Sequence, residues 1–194
     1  MIYGLPTTIN FGDVEFRIGG DGDYRVILDI FSVLDDNTLD KTERILAALC
    51  IFYDMEDLND LSQLPDLQEA VEKMFWFFSA GRPEGKSSKS YKLVDWDKDY
   101  SMICAAVNNV AHKEIRSEQY IHWWTFMGYY MSVGESVMST VMSIRDKMMR
   151  GKKLEKWERQ YRNENHEYFV WETKSAEERD FEKALAEIWN GGEK

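Results

Sequence analysis

Three histidines, two cysteines and thirty-five carboxylates are the residues from which this 194-residue chain could build an active site. His112, His122 and His166 stand apart, and no two share the HxxxH or HExxH spacing that places imidazoles on one helical face as metal ligands. His122 precedes Trp123-Trp124 and reads as a partly buried ring bonded to a carbonyl. His112, close to Glu114, reads as a helix terminus compatible with the helix dipole. Asp54, Glu56, Asp57 and Asp60 lack the glycine turn and the closing bidentate Glu of a calcium hand, so they read as a solvated connector. The GGDGD run from Gly19 lacks the Lys and Ser/Thr of a phosphate loop. Cys50 and Cys104 lie in apolar helical patterns with no CxxC pairing and read as reduced core thiols of a cytoplasmic protein. No spacing supports a Ser/His/Asp or Cys/His set. The expectation is a protein that is not an enzyme, with no cofactor and no metal.

A different chemistry is concentrated between residues 95 and 169, which hold seven of the ten methionines and four of the seven tryptophans. Thioethers adapt to variable partners and are over-used at promiscuous binding surfaces, although they also fill ordinary cores. The net charge of −11 has the wrong sign for a sequence-independent grip on nucleic acid. That charge is unevenly spread: residues 1–80 hold sixteen acids and five bases, whereas residues 145–162 hold eight bases and three acids. A basic arm of this kind fits an acidic partner, an acidic face of its own chain, or a solvated helix. The apolar run from Ile121 to Ile144 carries His122, Glu135 and four serines, which argues against a membrane span.

The elements that must position these residues follow from periodicity and caps. Residues 8–18 alternate around Gly12-Asp13 and predict a small hairpin. Asp23 caps a helix striped by Val26, Ile27, Ile30, Phe31 and Leu34, and Asp40 caps a second striped by Ile45, Leu46, Leu49 and Phe52. A third is predicted from about Pro65 to Phe78, with Pro65 in its first turn. The GRPEGKSSKSYK segment reads as a linker.

Beyond the linker, Asp95 is the expected cap of a fourth helix and Ser117 the start of a fifth, the two forming an antiparallel hairpin. On the fifth, Tyr120, Trp123, Trp124, Met127 and Met131 share a face. On the next, Val137, Val141, Ile144 and Met148 trace one side and Met138, Met142 and Met149 another, so that one side needs covering. After Gly151, Glu155 and Arg159 stand at pairing distance, as do Trp157 and Tyr161. A last acidic helix runs from about Ser175 to Trp189. The fold expected is mainly α, a multi-helix bundle or set of hairpins with a small N-terminal β-hairpin. Its parts are an N-terminal unit over 1–80, a linker over 81–94, a helical core with its basic arm over 95–165, and an acidic C-terminal helix over 166–194.

The segments DWDKDYSMICAAVNNV, HWWTFMGYYMSVGES and VMSIRDKMMRGKKLEKWERQYR, spanning about residues 90–165, together resemble the phage "gene product fifteen" family of long, non-contractile-tailed phages infecting Gram-positive bacteria. The double Trp, the SIR triplet and the GKKLEKWE run carry the resemblance. It implies a tail assembly chaperone that binds the tape-measure protein in the host cytoplasm, helps recruit tail-tube protein, and is absent from the mature virion. The family brings no catalytic residues. Two other classes stay open: a minor structural tail protein retained in the virion, and an acidic DNA mimic that inhibits a host defence nuclease. The mimic needs an unbroken carboxylate ridge, which the basic arm interrupts. The expected partner-binding residues are Trp123, Trp124, Met127, Met131, Met138 and Met142 for apolar contact and Lys152, Lys153, Lys156 and Arg159 for charged contact. Tape-measure protein, tail-tube protein and further copies of the chain are the expected partners, with no nucleic acid and no membrane.

Overall fold

The computed structural model describes residues 4–82 and 93–170, with Ala184 beyond them. Residues 83–92 of the expected linker and, Ala184 apart, the expected final helix lie outside the described residues. Among the described residues the fold is mainly α with one two-stranded sheet, as the periodicities require. The described residues form two compact units, one of residues 4–82 with 120–127 and the other of residues 93–119 with 128–170.

In the first unit, β1 (Thr8–Phe11) and β2 (Val14–Arg17) pair antiparallel with Phe11 opposite Val14. The two-residue turn is made by Gly12 at φ 61° with Asp13, a conformation that glycine enters without a Cβ penalty. A lone hairpin is marginal in water. This one rests Phe11 and Phe16 on Tyr53, with ring centroids 5.9 and 6.0 Å away.

Helix α1 (Tyr24–Asp35) starts where the Asp23 carboxylate accepts from the Arg25 N–H, and it buries Ile27, Ile30, Phe31 and Leu34. Helix α2 (Lys41–Phe52) opens with a capping box between Asp40 and Glu43. Helix α3 (Leu67–Phe78) is capped by Asp66, whose carboxylate accepts from the Glu69 N–H at 2.8 Å. Pro65 therefore stands just outside the cap and not in the first turn. The acids of the α2–α3 connector also serve as caps. Asp57 accepts from the Asn59 and Asp60 N–H groups at the start of a 3-10 turn over Leu58–Gln63. The Gly19–Gly22 run is likewise structural: a Cβ on Gly19 would lie 2.2 Å from the Ile51 carbonyl oxygen.

Residues 120–127 complete this unit from far along the chain. The Tyr24 N–H donates to the Ile121 carbonyl, and the Ile121 N–H donates to the Asp23 carboxylate. Tyr24 stacks on Phe126 at 4.6 Å with the planes 4° apart. Helix α5 therefore spans Trp123–Met131 and does not begin at Ser117. Tyr120 precedes it and gives its hydroxyl to the Asp21 carbonyl, off the expected helical face.

In the second unit, α4 is Tyr100–Ala111, not a helix starting at Asp95. Asp95 instead closes the turn before it, accepting from the Lys98 N–H. Helix α4 packs on α6 (Val137–Met149), which replaces the expected antiparallel pairing of the fourth helix with the fifth. Val141 and Ile144 join Leu154 and Phe169 in a small core flanked by Met102, Tyr161 and Tyr168. Helix α7 (Lys156–Glu164) follows the bend at Gly151. No ion pair joins Glu155 to Arg159, and Trp157 turns to solvent while Tyr161 turns to the core.

Candidate functional site

Two surface features of the second unit carry recognition chemistry. The first is a groove of about 390 Å³ lined by Leu93, Tyr130, Val133, Met138, Ser139, Met142, Ser143 and Asp146. The second is a cationic corner where the end of α6 turns into α7.

The groove is set by the methionine stripe of α6. Val141 and Ile144 of the first expected stripe are fully buried while Val137 of that stripe is 53% exposed, and Met138 of the second stripe is buried at 5%. Met138 and Met142, four residues apart, share a face of the helix and line the groove wall. The Ser136–Ser139 capping box fixes where the helix starts, the Ser139 N–H donating to Ser136 Oγ at 3.1 Å. Across from it, Tyr130 gives its hydroxyl to Met142 Sδ at 3.9 Å and sets its ring 5.3 Å from that of Trp96. Burial and the nearby Asp99 carboxylate push the Tyr130 phenol up to about 12, so this wall stays uncharged at neutral pH.

Leu93 is held in place because its carbonyl accepts from Arg145 Nη1 at 2.9 Å. Arg145 also donates to the Tyr168 carbonyl and makes a bidentate pair with Asp99. Asp146 at the groove's edge is paired with Arg150 at 2.6 Å. What remains is an open, largely apolar channel with methionine on one side. It can accept an apolar stripe, and its lining contains no nucleophile paired with a base. Among the described residues no group of three or more His, Cys, Asp or Glu is arranged to hold a metal.

The cationic corner is shaped by Glu158. Its carboxylate accepts from Lys147 Nζ at 2.5 Å and from the Glu155 N–H at 2.8 Å, tying α6 to the first turn of α7. Those two donors hold the Glu158 carboxyl below the usual carboxylate range. With Glu158 and Leu154 turned inward, Lys152, Lys153, Lys156, Trp157 and Arg159 are all turned outward, together with Glu155. Apart from the half-buried Arg162, the basic arm is thus two sets of cations. Arg145, Lys147 and Arg150 are neutralised inside the unit, whereas Lys152, Lys153, Lys156 and Arg159 face solvent.

The expected apolar contact residues are divided by the fold. Trp123 is 1% exposed and bonds through its indole N–H to the Phe78 carbonyl at 2.9 Å, so it is a packing residue and not a contact surface. Trp124 is half-buried and donates to the Phe77 carbonyl at 2.9 Å, and Met127 is half-buried. Those three belong to the first unit. Met131 is 52% exposed in the second unit, and only Met138 and Met142 of the expected set line the groove. Of its other walls, Leu93 lies in the expected linker, and Tyr130 and Val133 lie within the Ile121–Ile144 apolar run but are not among the residues assigned to the expected Tyr120–Met131 face.

The other imidazoles are not assembled into a site. His122 is buried, with Nε2 2.9 Å from the Pro6 carbonyl oxygen and Nδ1 accepting from the Trp124 N–H at 3.1 Å. His112 ends α4 in the left-handed region at φ 54°, and His166 is exposed. Among the described residues no helix is long and apolar enough to cross a membrane.

No curated protein and no solved structure matches the chain. The sequence model of the bacteriophage Gp15 protein family matches residues 1–169, well over half of the chain and including the groove and the cationic corner, and the protein belongs to that family.

Proposed function

We propose that this phage protein is a non-enzymatic tail assembly chaperone that holds the tape-measure protein through the α6 groove and helps recruit tail-tube subunits. The observation that carries this reading is the open methionine-lined groove between Leu93, Tyr130, Val133 and Met142, which offers apolar contact without catalytic or metal-binding groups. A tape-measure chain is a long, partly apolar helical polymer, and an amphipathic helix lays its apolar stripe into a groove of this kind. Methionine walls suit a client whose successive segments differ in sequence. Several copies along one client gain by avidity. The protein acts in the host cytoplasm during assembly, uses no cofactor, binds neither nucleic acid nor membrane, and does not remain in the virion.

Co-expression of the full chain with the tape-measure protein of its own phage tests the reading. The client is retained with the wild type and lost with Met142→Glu, whose side chain puts a charge into the groove without entering the Val141–Ile144 core. Equal retention by the two proteins, or none by either at micromolar concentration, would sink the assignment. Mass spectrometry of purified particles separates a chaperone from a minor tail protein, since only the latter persists in finished tails. The DNA-mimic reading loses ground because Lys152, Lys153, Lys156 and Arg159 are outward-facing cations.

A further inference from the structure

The cationic corner is more than a solvated face, because it exposes apolar side chains as well as charge. Trp157 is 57% exposed at the centre of the corner, and Met148 and Met149, on the last turn of α6, are 36% and 45% exposed. The Lys147–Glu158 bond joins that last turn to the first turn of α7, which carries Lys156, Trp157 and Arg159, with Lys152 and Lys153 in the bend between them. An exposed tryptophan among cations fits a partner presenting both carboxylates and an aliphatic contact.

The first unit displays that combination. Asp54, Glu56 and Asp57 are exposed on the α2–α3 connector, and Leu58 beside them is 58% exposed. The Asp57 carboxylate caps the 3-10 turn, which fixes the direction in which Leu58 projects. Residues 1–80 hold sixteen acids and five bases, whereas residues 145–162 hold eight bases and three acids, so two separate copies attract one another in this orientation and repel in the like-to-like ones.

We infer that the Lys152–Lys153–Lys156–Trp157–Arg159 corner docks the acidic Asp54–Glu56–Asp57–Leu58 connector of a second copy of this chain, with Trp157 against Leu58. Two copies can satisfy the contact reciprocally, as a two-fold dimer, or each copy can pass its free corner and connector to further copies in a ring or an open chain. The inference rests on the charge and exposure of these residues and is independent of which client the groove binds.

Sedimentation velocity of the full chain over a range of concentrations tests it, with paired charge reversals as the discriminating variants. The wild type associates at low salt, and the association weakens by about tenfold or more when salt is raised until screening acts within roughly 3–4 Å. Lys152→Glu with Lys153→Glu and Lys156→Glu gives a folded monomer, as does Glu56→Lys with Asp54→Lys and Asp57→Ser, since serine retains the cap. Mixing the two variants restores association, because one keeps the connector and the other keeps the corner. The proposal is overturned if the wild type stays monomeric at hundreds of micromolar, if either variant associates like wild type, or if the mixture stays monomeric. It is equally overturned if the corner's lysines are needed only to bind duplex DNA or anionic vesicles.

Discussion

Arg145 and Asp99 form a bidentate ion pair at 2.5 and 2.9 Å across the α4–α6 interface, with only 4% and 2% of their side chains exposed. All five N–H donors of Arg145 are used, and Asp99 takes a further bond. Arg145 reaches the carbonyls of Leu93 and Tyr168, and Asp99 Oδ2 also accepts from the Asp95 N–H at 3.0 Å. One arginine therefore fastens the start of α4, the groove's Leu93 wall and the 3-10 turn over His166–Phe169 to α6. A buried pair of this kind contributes little beyond what an apolar replacement would, but leaving one member alone is costly.

Removing one partner should accordingly destabilise the second unit by about 3–5 kcal/mol, through the stranded charge. Asp99→Ala and Arg145→Ala are the variants, and urea unfolding is the measurement. The double variant Asp99→Leu with Arg145→Met should lose less than the two singles added together. A single variant within about 0.5 kcal/mol of wild type would remove the pair from any structural role.

His122 makes the first unit acid-sensitive. Burial lowers its pKa below the ordinary 6.5, against opposing contributions from the Pro6 carbonyl and Asp23. The neutral ring donates from Nε2 and accepts at Nδ1, and protonation turns the acceptor into a second donor facing the Trp124 N–H. The unfolded chain then binds the proton more readily than the folded one, so stability rises with pH across the interval. The contribution is complete above about pH 6.5 and is lost as pH falls from there through the folded value. The melting temperature should therefore be flat from pH 8 to 7 and decline toward pH 5. His122→Gln should flatten that decline, and equal slopes in both proteins would remove His122 as its cause.

Gly22→Ala should destabilise the same region by about 1–3 kcal/mol. Gly22 sits at φ 79°, and a Cβ there would lie 2.8 Å from the Phe77 ring and 3.0 Å from His122 Nε2. Thermal unfolding checks it. Gly128→Ala, where a Cβ meets nothing within 4 Å, is the control and should be neutral or mildly stabilising.

Two tryptophans that look alike in sequence should respond oppositely. Trp123 packs against Phe31 and Phe126, so Trp123→Ala should cost about 3–5 kcal/mol. Trp157→Ala should change stability by about 0.5 kcal/mol or less. Acrylamide quenching of single-Trp variants gives an independent reading, efficient for Trp157 and poor for Trp123.

What the sequence by itself determined is whatever depends on neighbours along the chain. The Gly12-Asp13 hairpin, the Asp23 and Asp40 caps, and the stripe of Ile27, Ile30, Phe31 and Leu34 were legible because turn chemistry and 3.6-residue periodicity act locally. The start of α5 was not, because residues 120–122 are held extended by bonds to Asp21, Asp23 and Pro6 about a hundred positions away. The face that α6 presents was equally hidden. Two apolar stripes on one helix leave its rotation undetermined, and only the Arg145–Asp99 pair and the packing of Val141 and Ile144 decide it. Tertiary structure alone sorted the tryptophans and methionines into core and groove, since a side chain's exposure is set by what the rest of the chain brings against it.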